Sequence, residues 1–195
     1  MSKIVLIVSL IVAAALAGCA GGGNKIEAIY ELTALDTPPV SSGTSAQILV
    51  PEPRALQSLA SSKIAVKPTA MTVSYYPNVA LQDDAPKVFQ RMLLDTFENT
   101  GRVHAVGLPG QSLLINYQVV SEIRAFQVET FAGNRARVVV AVKLLNDSNG
   151  RVLRTEVFET VVPIGSDAVE TAAEGMNAAA QQAALDIVTW TLAAI

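Results

Sequence analysis

The sequence predicts one α+β domain, a mixed and mainly antiparallel sheet covered by two amphipathic helices, and three observations predict it. Residues 84–99 and the segment from Ser166 to Trp190 repeat apolar side chains every three or four positions, which is the helical period. Between them, residues 112–162 alternate apolar and polar side chains. They are broken at Gly133-Asn134 and Asn149-Gly150, so they read as an antiparallel three-stranded meander. The third observation is length, because about 177 residues follow position 18, which suits one sizeable core.

Residues 1–18 read as a leader. Lys3 supplies the positive end, Ile4 to Leu16 the apolar run interrupted only by Ser9, and Ala17-Gly18 the small residues that suit a signal peptidase. Cys19, the only cysteine, follows at once, so Leu16-Ala17-Gly18-Cys19 has the form of a lipobox. The run is shorter than the roughly 20 apolar residues of a transmembrane helix. Gly21-Gly22-Gly23 then favours cleavage and a leash over a span. Cys19 has no partner for an intramolecular disulfide and is read as the lipid acceptor. At about 0.8 kcal/mol per buried methylene, two or more acyl chains hold a protein at a membrane surface. The leader resembles that of bacterial lipoproteins, in which an aspartate after the cysteine goes with inner-membrane retention; with Ala20 in that place, the resemblance implies the outer membrane and a periplasm-facing domain. The expected division is residues 1–18 signal peptide, 19–28 lipidated cysteine and tether, and 29–195 folded domain.

Beyond position 18 the chain carries 13 basic and 17 acidic residues, a formal charge of −4. It has neither a basic run nor aromatic residues interleaved with one, so nucleic acid is not an expected partner. The apolar fraction of 51 % is inflated by the leader and by alanine, yet enough Val, Ile, Leu and Phe remain to fill a core.

The elements follow in order. Residues 33–62 are rich in loop chemistry, with Thr37-Pro38-Pro39, Ser41-Ser42-Gly43 and Pro51-Glu52-Pro53, so only short strands fit there. Ile29 to Leu32 and Gln47 to Val50 are expected strands, Lys63 to Val66 is a firmer one that Pro68 ends, and Met71 to Tyr76 is another extended piece. The first helix starts at Asp83-Asp84, with Pro86 in its first turn. It shows an apolar face at Val88, Phe89, Met92, Leu93 and Phe97 and stops at Gly101. A short strand, Arg102 to Val106, precedes a long one, Ser112 to Glu129. Leu113, Ile115, Tyr117, Val119 and Ile123 of the long strand share a face until Phe126 and Val128 appear on the other parity, which predicts a bulge around Arg124 to Phe126. Arg137 to Leu145 and Val152 to Val162 complete the meander. The last helix is expected to open with a capping box of Asp167 and Glu170, and its many alanines would let it lie close to the sheet.

The parts of an enzyme are missing from the sequence. His104 is the only histidine and falls in a short strand, where packing or solvation accounts for it better than general-base work. Helix capping accounts for Asp83 and Asp84, which would otherwise read as a carboxylate pair. The sequence contains no histidine pair for zinc, no Gly-Lys-Thr or Gly-Lys-Ser phosphate loop and no Gly-x-Ser-x-Gly elbow, so neither metal nor cofactor is expected. Two features could carry partner binding. Glu122, Arg124, Glu129, Arg135, Arg137, Arg151, Arg154 and Glu156 fall on or beside the meander, where cross-strand pairing on a solvated face competes with docking. The Trp190 end of the last helix is a candidate interaction tip, against burial of the same stripe in the core. The candidate docking residues are Arg124, Phe126, Arg137, Arg154 and Trp190.

The ordered set of these features resembles the ABC-type transport auxiliary lipoproteins, a family that includes the PqiC-like proteins. The resemblance rests on the lipobox, the Tyr30-Glu31-Leu32 strand, the Asp84-to-Gly101 helix and the strand ending Glu122-Ile123-Arg124-Ala125-Phe126. It continues through the Asn149-Gly150 turn, Phe158 before Pro163 and the alanine-rich helix ending near Trp190. Members often carry a Trp shortly before the first helix, where this chain has Tyr75-Tyr76-Pro77. The resemblance implies a non-catalytic accessory role beside an envelope ABC system, its permease and ATPase served by an MCE-type substrate-binding protein. Such a system moves phospholipids or other hydrophobic molecules, and the accessory chain is compatible with a homo-oligomer. The alternatives are a free-standing carrier burying a lipid between helices and sheet, and a structural envelope tether.

Overall fold

The computed structural model describes residues 25–131 and 133–195; the predicted leader and Cys19 lie outside them. The chain runs β1 Ala28–Tyr30, β2 Thr44–Leu49, β3 Arg54–Ala55, β4 Ala65–Lys67, β5 Ser74–Tyr75, β6 Val79–Leu81, α1 Ala85–Asn99, β7 Val103–Gly107, β8 Tyr117–Glu129, β9 Arg135–Asn146, β10 Val152–Pro163 and α2 Val169–Leu192. The α+β class is as expected. The expected mainly antiparallel sheet is not, because five of the eight strand pairings among the described residues are parallel.

The reason lies in the loose N-terminal third. One edge of β8 pairs antiparallel with β9, and β9 with β10, as the meander requires. The other edge of β8 takes three short pieces in succession, β2, β3 and β4, all running in its own direction. Prolines at 51 and 53 break this edge into segments, since proline cannot donate to a ladder. Beyond β2 the sheet continues to β7, also parallel, while β5 turns back on β4 and β1 forms a separate parallel pair with β6.

β8 is the spine of the molecule. Its register against β9 shifts between Ile123 and Ala125, at the bulge that the change of parity predicts. The shift keeps Val119 and Ile123 before it, and Phe126 and Val128 after it, all in the same core. The strand starts later than expected, at Tyr117, because Gly110 and Ser112 take left-handed backbone angles and residues 108–116 form a loop.

Both helices cover one face of the sheet. The apolar face of α1, with Phe89 and Phe97 fully buried, meets Phe126 of β8, whose ring lies edge-on to Phe89 at 6.2 Å. Gly101 ends the helix at φ +60°, a conformation open to glycine at little cost. The predicted side-chain caps are corrected in both helices. Asp84 caps α1 through its carbonyl, which accepts from the backbone N–H groups of Lys87 and Val88, while Asp83 accepts from the Asp84 backbone N–H at 2.7 Å. Ala168 occupies the N-cap of α2, so Asp167 and Glu170 form no capping box.

Alanine sets the depth of α2. Ala172, Ala179, Ala180, Ala183 and Ala184 are wholly buried, and Ile187 and Val188 add the larger contacts. Small side chains let the helix backbone approach β9 closely; a methyl group at Gly175 would run into Ile164 and touch Ala136.

Candidate docking surface

Side chains alternate across a strand, so the residues of β8 to β10 divide into two sets. Ala136, Val138, Val140, Val142 and Leu144 of β9 face the helices and are buried. Arg135, Arg137, Val139, Ala141, Lys143 and Leu145 point to the opposite face. By register they lie beside Gln118, Val120, Glu122, Ala125, Gln127 and Glu129 of β8 and beside Thr155, Val157, Glu159 and Val161 of β10. This second face carries the groove and the charges described next.

At the end of the sheet near the β8–β9 turn, the face is closed by ion pairs. The Glu129 carboxylate, 2 % exposed, accepts hydrogen bonds from the Arg135 guanidinium at 2.6 and 2.9 Å and from the Gln127 amide at 3.0 Å. Arg137 lies 3.5 Å from the same carboxylate and donates to Glu159 at 2.8 Å. Burial alone would push the Glu129 carboxyl up. The hydrogen bonds from Arg135 and Gln127 and the charges of Arg135 and Arg137 outweigh it and hold the group below its ordinary range.

Toward the other end the face opens into a groove of about 490 Å³. Val120, Ala141 and Val157 are among the apolar side chains that line it, and Arg54, Arg124 and Lys143 bring cations to it. Arg124 lies 3.6 Å from Glu122, both half exposed, and such a pair contributes little to stability. Among the described residues Arg54 and Lys143 have no acidic partner within ion-pair distance. β10 is an edge strand of the sheet, with Val152, Leu153, Val157 and Val161 exposed. Arg154, Glu156 and Glu159 are exposed along the same strand and blunt it against indiscriminate pairing, so its apolar side chains are left for a partner that also meets those charges.

The structure brings some of the predicted docking residues to this face and separates others. Arg124 and Arg137 lie on it. Arg154 is exposed but stands at the register of Leu144, on the helix side. Phe126 is corrected: it is 3 % exposed and packed on Phe89, so it is a core residue. Trp190 is half buried, its ring edge-on to Phe158 at 5.6 Å, which joins the end of α2 to β10. Cys19 lies outside the described residues. Arg54, Lys143 and Val157 were not singled out from sequence. Parity along β9 and β10 could have found the last two; nothing in a two-residue strand could have found Arg54.

Other chemistry is sparse. His104 is exposed on β7. Among the described residues no three His, Cys, Asp or Glu side chains are grouped to hold a metal ion. The Asp83 carboxyl is held below its ordinary range by the Asp84 backbone N–H, against a smaller effect of burial, and Lys87 adds to the lowering. Among the described residues no helix is long and apolar enough to cross a membrane.

Comparison with known proteins bears on the whole domain. Residues 30–188 match the family model described as ABC-type transport auxiliary lipoprotein component. The uncharacterized protein bll6063 of Bradyrhizobium diazoefficiens is 27 % identical over 177 residues, 90 % of this chain and 48 % of its own length, so the chain spans about half of that relative. The crystal structure of protein XCC0632 from Xanthomonas campestris, of family DUF330, superposes with a TM-score of 0.79 at 25 % identity, covering 85 % of this chain and 95 % of that one. The PelC dodecamer from Paraburkholderia phytofirmans shares the fold at a TM-score of 0.52 and 14 % identity, over 82 % and 96 % of the two chains.

Proposed function

The chain belongs to the ABC-type transport auxiliary lipoprotein component family, and from that premise we propose that it is the non-catalytic, periplasm-facing accessory of an envelope system in which an MCE-type protein delivers phospholipids or other hydrophobic molecules to an ABC permease and ATPase. Cys19 carries the lipid anchor in the outer membrane, residues 1–18 are removed as its signal, residues 19–28 tether it, and residues 29–195 are the auxiliary domain. The observation that carries this reading is the family match, which spans α1, the whole meander and α2 up to its last turn.

The groove supplies a means of docking. Its apolar floor, bordered by Arg54, Arg124 and Lys143 with Glu122 the one acid beside them, carries a net positive rim that suits an acidic, amphipathic segment of a partner, with the exposed β10 edge beside it. The layer between helices and sheet supports docking over carriage. Phe89, Met92, Leu93, Phe97 and Ile187 fill it with side chains at most 1 % exposed, where a carrier would hold its lipid.

A photoreactive phenylalanine analogue placed at Val157 in intact cells tests the reading. The expected product is a covalent adduct with a substrate-binding or permease subunit, absent when the probe is at Leu114 in the β7–β8 loop. An adduct with phospholipid instead would favour a carrier.

A further inference from the structure

The end of the sheet nearest the N-terminus carries a second feature, unrelated to the groove. β4 and β5 form a hairpin whose tip, residues 68–73, is exposed throughout, with Met71 96 % exposed. The tip is a built shape. The Thr69 hydroxyl accepts from the Thr72 backbone N–H and donates to the Thr72 hydroxyl at 2.8 Å, which presents Met71 and Val73 outward. Exposed Phe131 of the β8–β9 turn stands at the same end, since the adjacent Thr130 N–H donates to the Lys67 carbonyl at the base of the hairpin. Tyr75 follows the tip, with the Lys63 ammonium 5.3 Å from its ring centre, and a shallow pocket joins Tyr75 and Lys63 to exposed Ile26. Lys25 and Lys63 are exposed here, with Glu27 the acid beside them and Asp167 facing Tyr76 of the same pocket.

Aliphatic and aromatic tips beside lysines are the side chains that settle at a membrane interface. Covalent length supplies the position. Cys19 precedes Ile26 by seven residues, a reach of at most about 25 Å. β8 spans 13 residues, roughly 40 Å, from the Leu114 end to the Phe131 end. A chain anchored at Cys19 therefore holds the Ile26–Tyr75 region close to the bilayer.

We propose that the hairpin tip with Met71 and Val73, together with Tyr75, Phe131 and the lysines beside them, lies in the headgroup layer of an anionic phospholipid surface and fixes the orientation of the domain on it. The proposal rests on the reading of Cys19 as the lipid anchor. Apolar insertion supplies the depth, the lysines supply attraction to anionic lipid, and the opposite end of β8 is left pointing into the periplasm.

The test uses the full mature protein in phosphatidylethanolamine vesicles containing a minority of phosphatidylglycerol, with and without brominated acyl chains. Met71→Trp and Leu114→Trp are each made in a Trp190→Phe background, and intact mass reports acylation of Cys19. The expected result is acylated protein whose emission at position 71 falls about twofold with brominated lipid while that at 114 is unchanged. Acylated protein with both positions unquenched would overturn the membrane-facing tip and leave the anchor standing. Vesicle-bound protein with an unmodified Cys19 would overturn the anchor, and the proposal with it.

Discussion

Replacing Glu129 with Gln is expected to lower stability by about 2–3 kcal/mol at neutral pH. The carboxylate is buried and is the shared partner of two guanidinium groups, so its loss leaves Arg135 unneutralised and Arg137 with Glu159 alone. Breaking a fully buried pair from one side costs about 3–5 kcal/mol, and the one-third exposure of both arginines puts this case below that range. For a domain of this size the loss corresponds to a Tm about 5–10 °C lower. The pH dependence has a fixed sign. Because folding lowers the carboxyl's pKa, its contribution is fully present above the unfolded value of about 4.3 and disappears as pH falls through the folded value. Thermal melts of the two proteins should therefore differ at pH 7 and draw together only as pH falls below the unfolded value and through the lower folded one. A gap that persists unchanged into acid would mean that the ion pairs are not its source.

Phe89→Ala is expected to cost about 4 kcal/mol and to lower Tm by roughly 8–16 °C. Phe89 is 0 % exposed, and it joins α1 to the bulged part of β8 through Phe126. Truncation removes the ring and leaves a cavity between two elements that other contacts hold apart, so the site collapses little. Phe89→Leu, which keeps most of the volume, should recover more than half of the loss in denaturant unfolding. Equal losses from both substitutions would show that the edge-to-face ring contact, worth about 1 kcal/mol, is not the minor part assigned to it here.

What the sequence revealed and what it hid have separate physical causes. The helices, the meander and the bulge in β8 are local patterns: apolar spacing at Val88, Phe89, Met92, Leu93 and Phe97, turns at Gly133 and Gly150, and the change of parity between Ile123 and Phe126. The direction of β2, β3 and β4 is not local. Whether residues 44–67 run with or against β8 depends on pairings with residues 117–129, and nothing in a two- or three-residue strand records its partner. The caps depart from the sequence pattern for a related reason. Asp83, Asp84 and Asp167 have the residue type that caps prefer, yet the entering backbone turned their carboxylates elsewhere.

The site was legible in the same proportion. Arg124 and Arg137 lie on the open face, as charged residues on a half-buried strand should. Phe126 does not, because the bulge that its position signals also rotates it into the core. Arg54 reaches the groove only through the parallel pairing of β3 with Glu122.

The accessory role is tested most directly by crosslinking intact cells, purifying through a C-terminal tag and identifying both proteins and lipids by mass spectrometry. Recovery of an MCE-type protein with its permease and ATPase is the predicted result, and the same sample reports self-association of the chain. A single copy carrying stoichiometric lipid and no transport subunit would contradict it.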